Sequence, residues 1–126
     1  MTKSDLYKTV LSLMKEFPKT QVEPYEGQFE DIEEFIIKPP ALFIDVTKGG
    51  NSQELSGSSD LKVALYVCTT NLQAKSQTPA MLDLIDSIEE KFINTHLIPL
   101  YKYHGFHKIG NYPGFKLYQL NYTVSG

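Results

Sequence analysis

The sequence predicts an α+β domain: a mainly antiparallel sheet of four or five strands with two long helices packed on one face. Two stretches repeat their apolar residues at helical spacing, and several others alternate apolar and polar residues with the period of a strand. Their order along the chain is helix, strand, short helix, strand, strand, helix, strand, strand, which suits a sheet covered by helices on one side. A chain of 126 residues fits one domain, 1–126, with its own core.

The first helix is expected over Ser4 to Phe17. Leu6, Val10, Leu13, Met14 and Phe17 line one face, Thr2 or Ser4 caps its start, and Pro18 stops it. Thr20 to Tyr25 reads as a short extended stretch that Pro24 confines to an edge or a strand end. After Glu26-Gly27, the run Gln28 to Ile37 is ambiguous between helix and strand. One or two helical turns are favoured, because its acidic residues come early, where the helix dipole welcomes them. Ala41 to Thr47 is a strand with Leu42, Ile44 and Val46 opposed to Phe43 and Asp45. Asp60 to Thr70 is another, with Leu61, Val63, Leu65 and Val67 opposed to Lys62, Ala64, Tyr66 and Cys68. Between them Lys48 to Ser59 is rich in Gly and Ser, predicting a hairpin with a flexible tip. Thr78-Pro79 is a helix-start signal, followed by the stripe Met81, Ile85, Ile88 and Phe92, with Asp83, Asp86, Glu89 and Glu90 on the wet side. Leu100 to Lys108 is expected to be extended, 110–114 to turn, and Phe115 to Val124 to form the last strand.

Composition narrows the function classes. Twelve basic and fifteen acidic residues give a net charge of −3, and every basic residue is a lysine. Clustered cations and bidentate arginines, the usual means of gripping phosphate, are missing, so nucleic acid is not an expected partner. No apolar run approaches the roughly 20 residues of a membrane span. One cysteine and no signal-peptide pattern at the N-terminus favour a reducing, intracellular setting.

Candidate chemistry is sparse. His104 and His107, with His96, invite a metal reading, but residues three apart on a strand point to opposite faces and should not converge. The acidic run Glu26, Glu30, Asp31, Glu33 and Glu34 reads as a solvated surface rather than an acid–base pair. Cys68, mid-strand, reads as structural. The 50–57 segment lacks the spacing and the lysine of a phosphate loop. No catalytic residue, metal or cofactor is therefore expected, and the chain is read as a binding protein rather than an enzyme.

The surfaces available for binding are more informative. Eight tyrosines suit half-buried sheet faces and interfaces. Two helices cover one side of the sheet, which leaves the other to carry Phe43, Ala64, Tyr66 and Cys68. It would also carry either Tyr118, Leu120, Tyr122 and Val124 or Phe115 and Leu117. Unpaired sheet edges offer a second route to assembly by strand addition.

Several phrases carry a resemblance over nearly the whole chain. They are the N-terminal amphipathic helix, Val22-Glu23-Pro24-Tyr25-Glu26-Gly27-Gln28-Phe29, and Lys38-Pro39-Pro40-Ala41-Leu42-Phe43-Ile44-Asp45-Val46. The Gly/Ser tip, the helix from Thr78 and the closing tyrosine-bearing strand complete it. In these the chain resembles phage and prophage tail proteins related to the Mu-like tail terminator family. The resemblance implies a tail terminator-like fold and a structural protein of virion assembly. Such a protein acts as a tail-tube terminator or head–tail joining subunit, commonly a hexameric ring, between the tail tube protein and the head–tail connector. It would assemble in the bacterial host cytoplasm and end in the virion tail. The interface residues expected on this reading are Tyr25, Phe29, Gly49, Gly50, Asn51, Glu54, Gly57, Tyr66, Tyr118 and Tyr122. The alternative is a small-molecule or peptide binding module, without catalysis, using a pocket between sheet and helices.

Overall fold

Helix α1 spans Lys3–Met14 and begins with a reciprocal cap. The Thr2 hydroxyl accepts from the Asp5 amide at 3.1 Å, and the Asp5 carboxylate accepts from the Thr2 amide at 3.3 Å. Hydrogen bonding to the Asp5 carboxylate by the Thr2 side chain, and then by the Thr2 backbone amide, holds the Asp5 carboxyl below its usual range. The helix ends three residues short of the expected Phe17. There the amides of Glu16 and Phe17 reach back only to Leu13 and Met14, a tighter winding ahead of Pro18. Leu6, Val10, Leu13 and Met14 are buried, as their spacing requires.

The computed structural model describes residues 2–28, 37–48, 60–69, 74–98, 100–112 and 114–125. Five strands form one mixed sheet: β1 Gln21–Pro24, β2 Ala41–Lys48, β3 Leu61–Thr69, β4 Tyr101–Tyr112 and β5 Phe115–Val124. The sheet order is β1-β2-β3-β5-β4. β1 runs parallel to β2, and the other three pairings are antiparallel. The parallel pair needs a long crossover, which residues 25–40 supply. The expected short helix, and the Gly/Ser tip between β2 and β3, lie outside the described residues.

Helix α2 spans Ala74–Asn94, so it begins four residues before the expected Thr78. Pro79 forfeits one bond to the residue-75 carbonyl, but Ala74, Lys75 and Gln77 are strong helix formers and carry the helix back past it.

Both helices pack on one face of the sheet. Leu6, Val10, Leu13 and Met14 of α1 and Met81, Ile85, Ile88 and Phe92 of α2 meet the inward residues of β2, β3 and β5. Each large apolar side chain buried there contributes about 1.5–3 kcal/mol. Lys91 of α2 reaches the turn after α1 at the rim, 2.8 Å from Glu16.

β4 extends to Tyr112, four residues beyond the expected Lys108, and its pairing with β5 slips twice, between Tyr103 and Phe106 and between Lys108 and Gly110. Gly105 lies at the first slip with φ 92°, a left-handed conformation that suits glycine. Tyr112 pairs with Phe115, and between them Gly114 turns the chain with φ 89°.

Candidate interaction surface

The sheet face away from the helices divides into two halves of different chemistry. At one end Ala41, Phe43, Cys68, Phe115 and Leu117 form a small second core, with Tyr25, Ile37, Tyr66 and Tyr112 packed against it. Of the two alternatives for β5, the structure therefore turns Phe115 and Leu117 to this face and Tyr118, Leu120, Tyr122 and Val124 to the helices.

This apolar half is covered, in part, by the chain that leaves β1. The Tyr25 ring lies 4.5 Å from that of Tyr66, and Tyr112 stacks on Phe115 at 5.0 Å. Desolvation, then the neighbouring Tyr25 and Asp45, push the Tyr66 hydroxyl pKa up. Gln28 pins the turn: its amide nitrogen donates to the Pro24 carbonyl at 2.8 Å, and its amide oxygen accepts from the Glu26 amide at 2.6 Å. Gly27, with φ 85°, permits that turn. The far face, expected to expose Phe43 and Cys68, instead buries both in this second core.

The other half is polar and, among the described residues, uncovered. Lys62 of β3 and Lys102 of β4 both pair with Thr123 of β5, so a row of lysine, threonine and lysine crosses three strands. Asn121 and Gln119 continue β5 on the same face. The His104 ring Nε2 lies 2.6 Å from the Thr123 hydroxyl. A shallow depression of about 360 Å³ is lined by Lys62, His104, Asn121 and Thr123. A second, of about 330 Å³, shares His104 and Thr123 and reaches Asp60 and Lys102.

The alternation argument for the histidines fails at the first bulge. His104 contacts Thr123, and His107 pairs with Gln119, so both belong to the far face. The extra residue at Gly105 restores them to one side. His96 is elsewhere, exposed in the turn after α2. Among the described residues no group of three or more His, Cys, Asp or Glu side chains could hold a metal ion.

One of the expected interface residues is corrected. Tyr122 is fully buried between the sheet and α2, stacked on Phe92, and Tyr118 is half-buried on that same helical side. Their parity on β5, set by pairing with Val63 and Val67, places them there. Tyr25 and Tyr66 remain half-buried on the far face. Phe29, Gly49, Gly50, Asn51, Glu54 and Gly57 lie outside the described residues, as do Glu30, Asp31, Glu33 and Glu34. Cys68 is buried in the second core, and desolvation pushes its thiol pKa up to about 12, so it is a poor nucleophile. Strand addition is also poorly served: β4, at one end of the sheet, is bulged twice, and β1, at the other, is short and ends in Pro24.

Sequence reasoning missed the lysine row and the Gln28 pin. The first depends on which strands become neighbours, and the second on a side chain folding back on its own turn. No protein-family model matches the chain, and no curated protein matches it either.

Proposed function

We propose that this chain is a structural assembly protein of a phage or prophage tail, without catalysis, ending the tail tube as a ring-forming terminator or head–tail joining subunit. The single observation that carries the reading is the polar half of the far sheet face, with its row of Lys62, Thr123 and Lys102. A two-layer domain has one sheet face left over, and a polar row there suits a macromolecular partner better than a core. The resemblance over nearly the whole chain supports the same reading and supplies the partners: the tail tube protein on one side and the connector on the other. A hexameric ring formed in the host cytoplasm and carried into the virion tail is part of the proposal.

The small-molecule alternative requires space between sheet and helices. Among the described residues Leu6, Val10, Leu65, Ile85, Ile88 and Phe92 fill that layer, so a ligand would have to displace the core that folds the domain.

The test is tube length. The tail tube protein of the same genome is polymerised with and without this protein, and the tubes are measured by negative-stain electron microscopy. Shorter tubes bearing an extra ring at one end support the proposal. Tubes of unchanged length with bare ends overturn it.

A further inference from the structure

The open half of the far face has a counterpart on the opposite side of the same domain. Asp83, Asp86 and Glu90 sit at positions i, i+3 and i+7 of α2 and are all exposed, flanked by exposed Leu82 and Ile93. None of these carboxylates is ion-paired with another described residue, and neither is Lys62 or Lys102. The acidic stripe and the basic row therefore face away from each other with their charge unmatched.

We propose that the lysine row of one copy receives the acidic α2 stripe of a second copy. This rests on the reading that the chain assembles with itself, and it names the surfaces that do so. Sign is the first argument: cations on the sheet, anions on the helix. Spacing is the second. Lys62 and Lys102 stand two strand spacings apart, about 10 Å. Asp83 and Glu90 are separated by seven residues of helix rise, also about 10 Å. A helix laid across β3, β5 and β4 brings one carboxylate to each lysine, with Asp86 between them near Thr123 and His104. Architecture is the third argument, because a helix laid on the open face completes the layering that the domain's own two helices begin on the other.

The contact is heterologous: each copy offers its sheet face to one neighbour and its α2 to another. Such contacts repeat until a rotation closes them into a ring.

The test uses sedimentation velocity at low salt on the full chain and two double variants, Lys62→Glu with Lys102→Glu and Asp83→Lys with Glu90→Lys. Circular dichroism confirms that each folds. All four positions are exposed. Wild-type protein is expected to self-associate in a salt-sensitive way, and each variant alone to weaken by roughly tenfold or more. Mixing the two variants is expected to restore association as alternating copies, since each then meets an opposite charge. Association that survives both reversals, or a mixture that stays apart while wild type assembles, overturns the docking. A wild-type chain that stays monomeric overturns it too. The tube-length assay on the same proteins separates the two readings: tubes still shortened by a docking-defective variant leave the terminator reading standing without this contact.

Discussion

The rings of Phe92 on α2 and Tyr122 on β5 lie face to face, 4.1 Å between centroids and 4° from parallel. Tyr103 leans against the same ring at 4.9 Å. Neither the Tyr122 nor the Tyr103 hydroxyl finds a hydrogen-bond partner among the described residues, although both oxygens are buried. The pair therefore joins helix to sheet through ring packing, with the hydroxyl a liability. Tyr122→Phe is expected to raise stability by about 1 kcal/mol in urea unfolding, because it deletes an unpaired polar atom. Phe92→Ala is expected to cost about 3–5 kcal/mol. A loss on Tyr122→Phe would show that the hydroxyl is satisfied.

The same cluster predicts an alkaline weakness. Burial, then the carboxylates of Glu89 and Asp86, push Tyr103 from 10.0 up to about 12, and Tyr122 is raised further by burial. A raised phenol keeps its proton in the folded state while the unfolded chain releases it. Its contribution to stability is therefore full below pH 10 and is lost as pH rises from there through about 12. Melting temperature should fall across that window, and Tyr103→Phe should flatten the fall.

Gln28 is the second expected weak point. It both donates and accepts within one turn, so Gln28→Ala strands the Glu26 amide and the Pro24 carbonyl together. A cost of about 1–3 kcal/mol is expected, with faster hydrogen exchange at the Glu26 amide as the local readout. Exchange unchanged at that amide would argue against the pin.

Gly105→Ala introduces no steric contact, because nothing lies within 4 Å of the new carbon. Its cost comes from φ 92° alone and is expected to be about 1–2 kcal/mol. A larger loss would mean that the bulge itself had been removed and the following strand re-registered.

Cys68 is expected to be inert. With its thiol raised to about 12 inside the second core, it should not react with a disulfide reagent at pH 8 until the chain is unfolded. Rapid labelling of the folded protein would contradict the burial of this half of the sheet.

Periodicity made the main elements legible. The alternation in 41–47 and 60–70 assigned each side chain of β2 and β3 to its proper face, and the stripes of α1 and α2 identified the helical core. The start of α2 was less legible, because a proline inside a helix resembles a proline at its beginning. The candidate surface was harder still. Lys62 and Lys102 are forty residues apart in sequence, and only the insertion of β5 between β3 and β4 makes them neighbours of Thr123. Residues 104 and 107 needed an insertion of one residue to share a face, and a single glycine gives little warning of that.

The irregular ends of the sheet carry a consequence for how the protein behaves at high concentration. A straight strand with free amides and carbonyls is a template for fibrils, and the bulges of β4 and the brevity of β1, with its terminal proline, break that template on both flanks. Growth into cross-β material is thereby disfavoured, so the folded chain is expected to stay free of fibrils at high concentration.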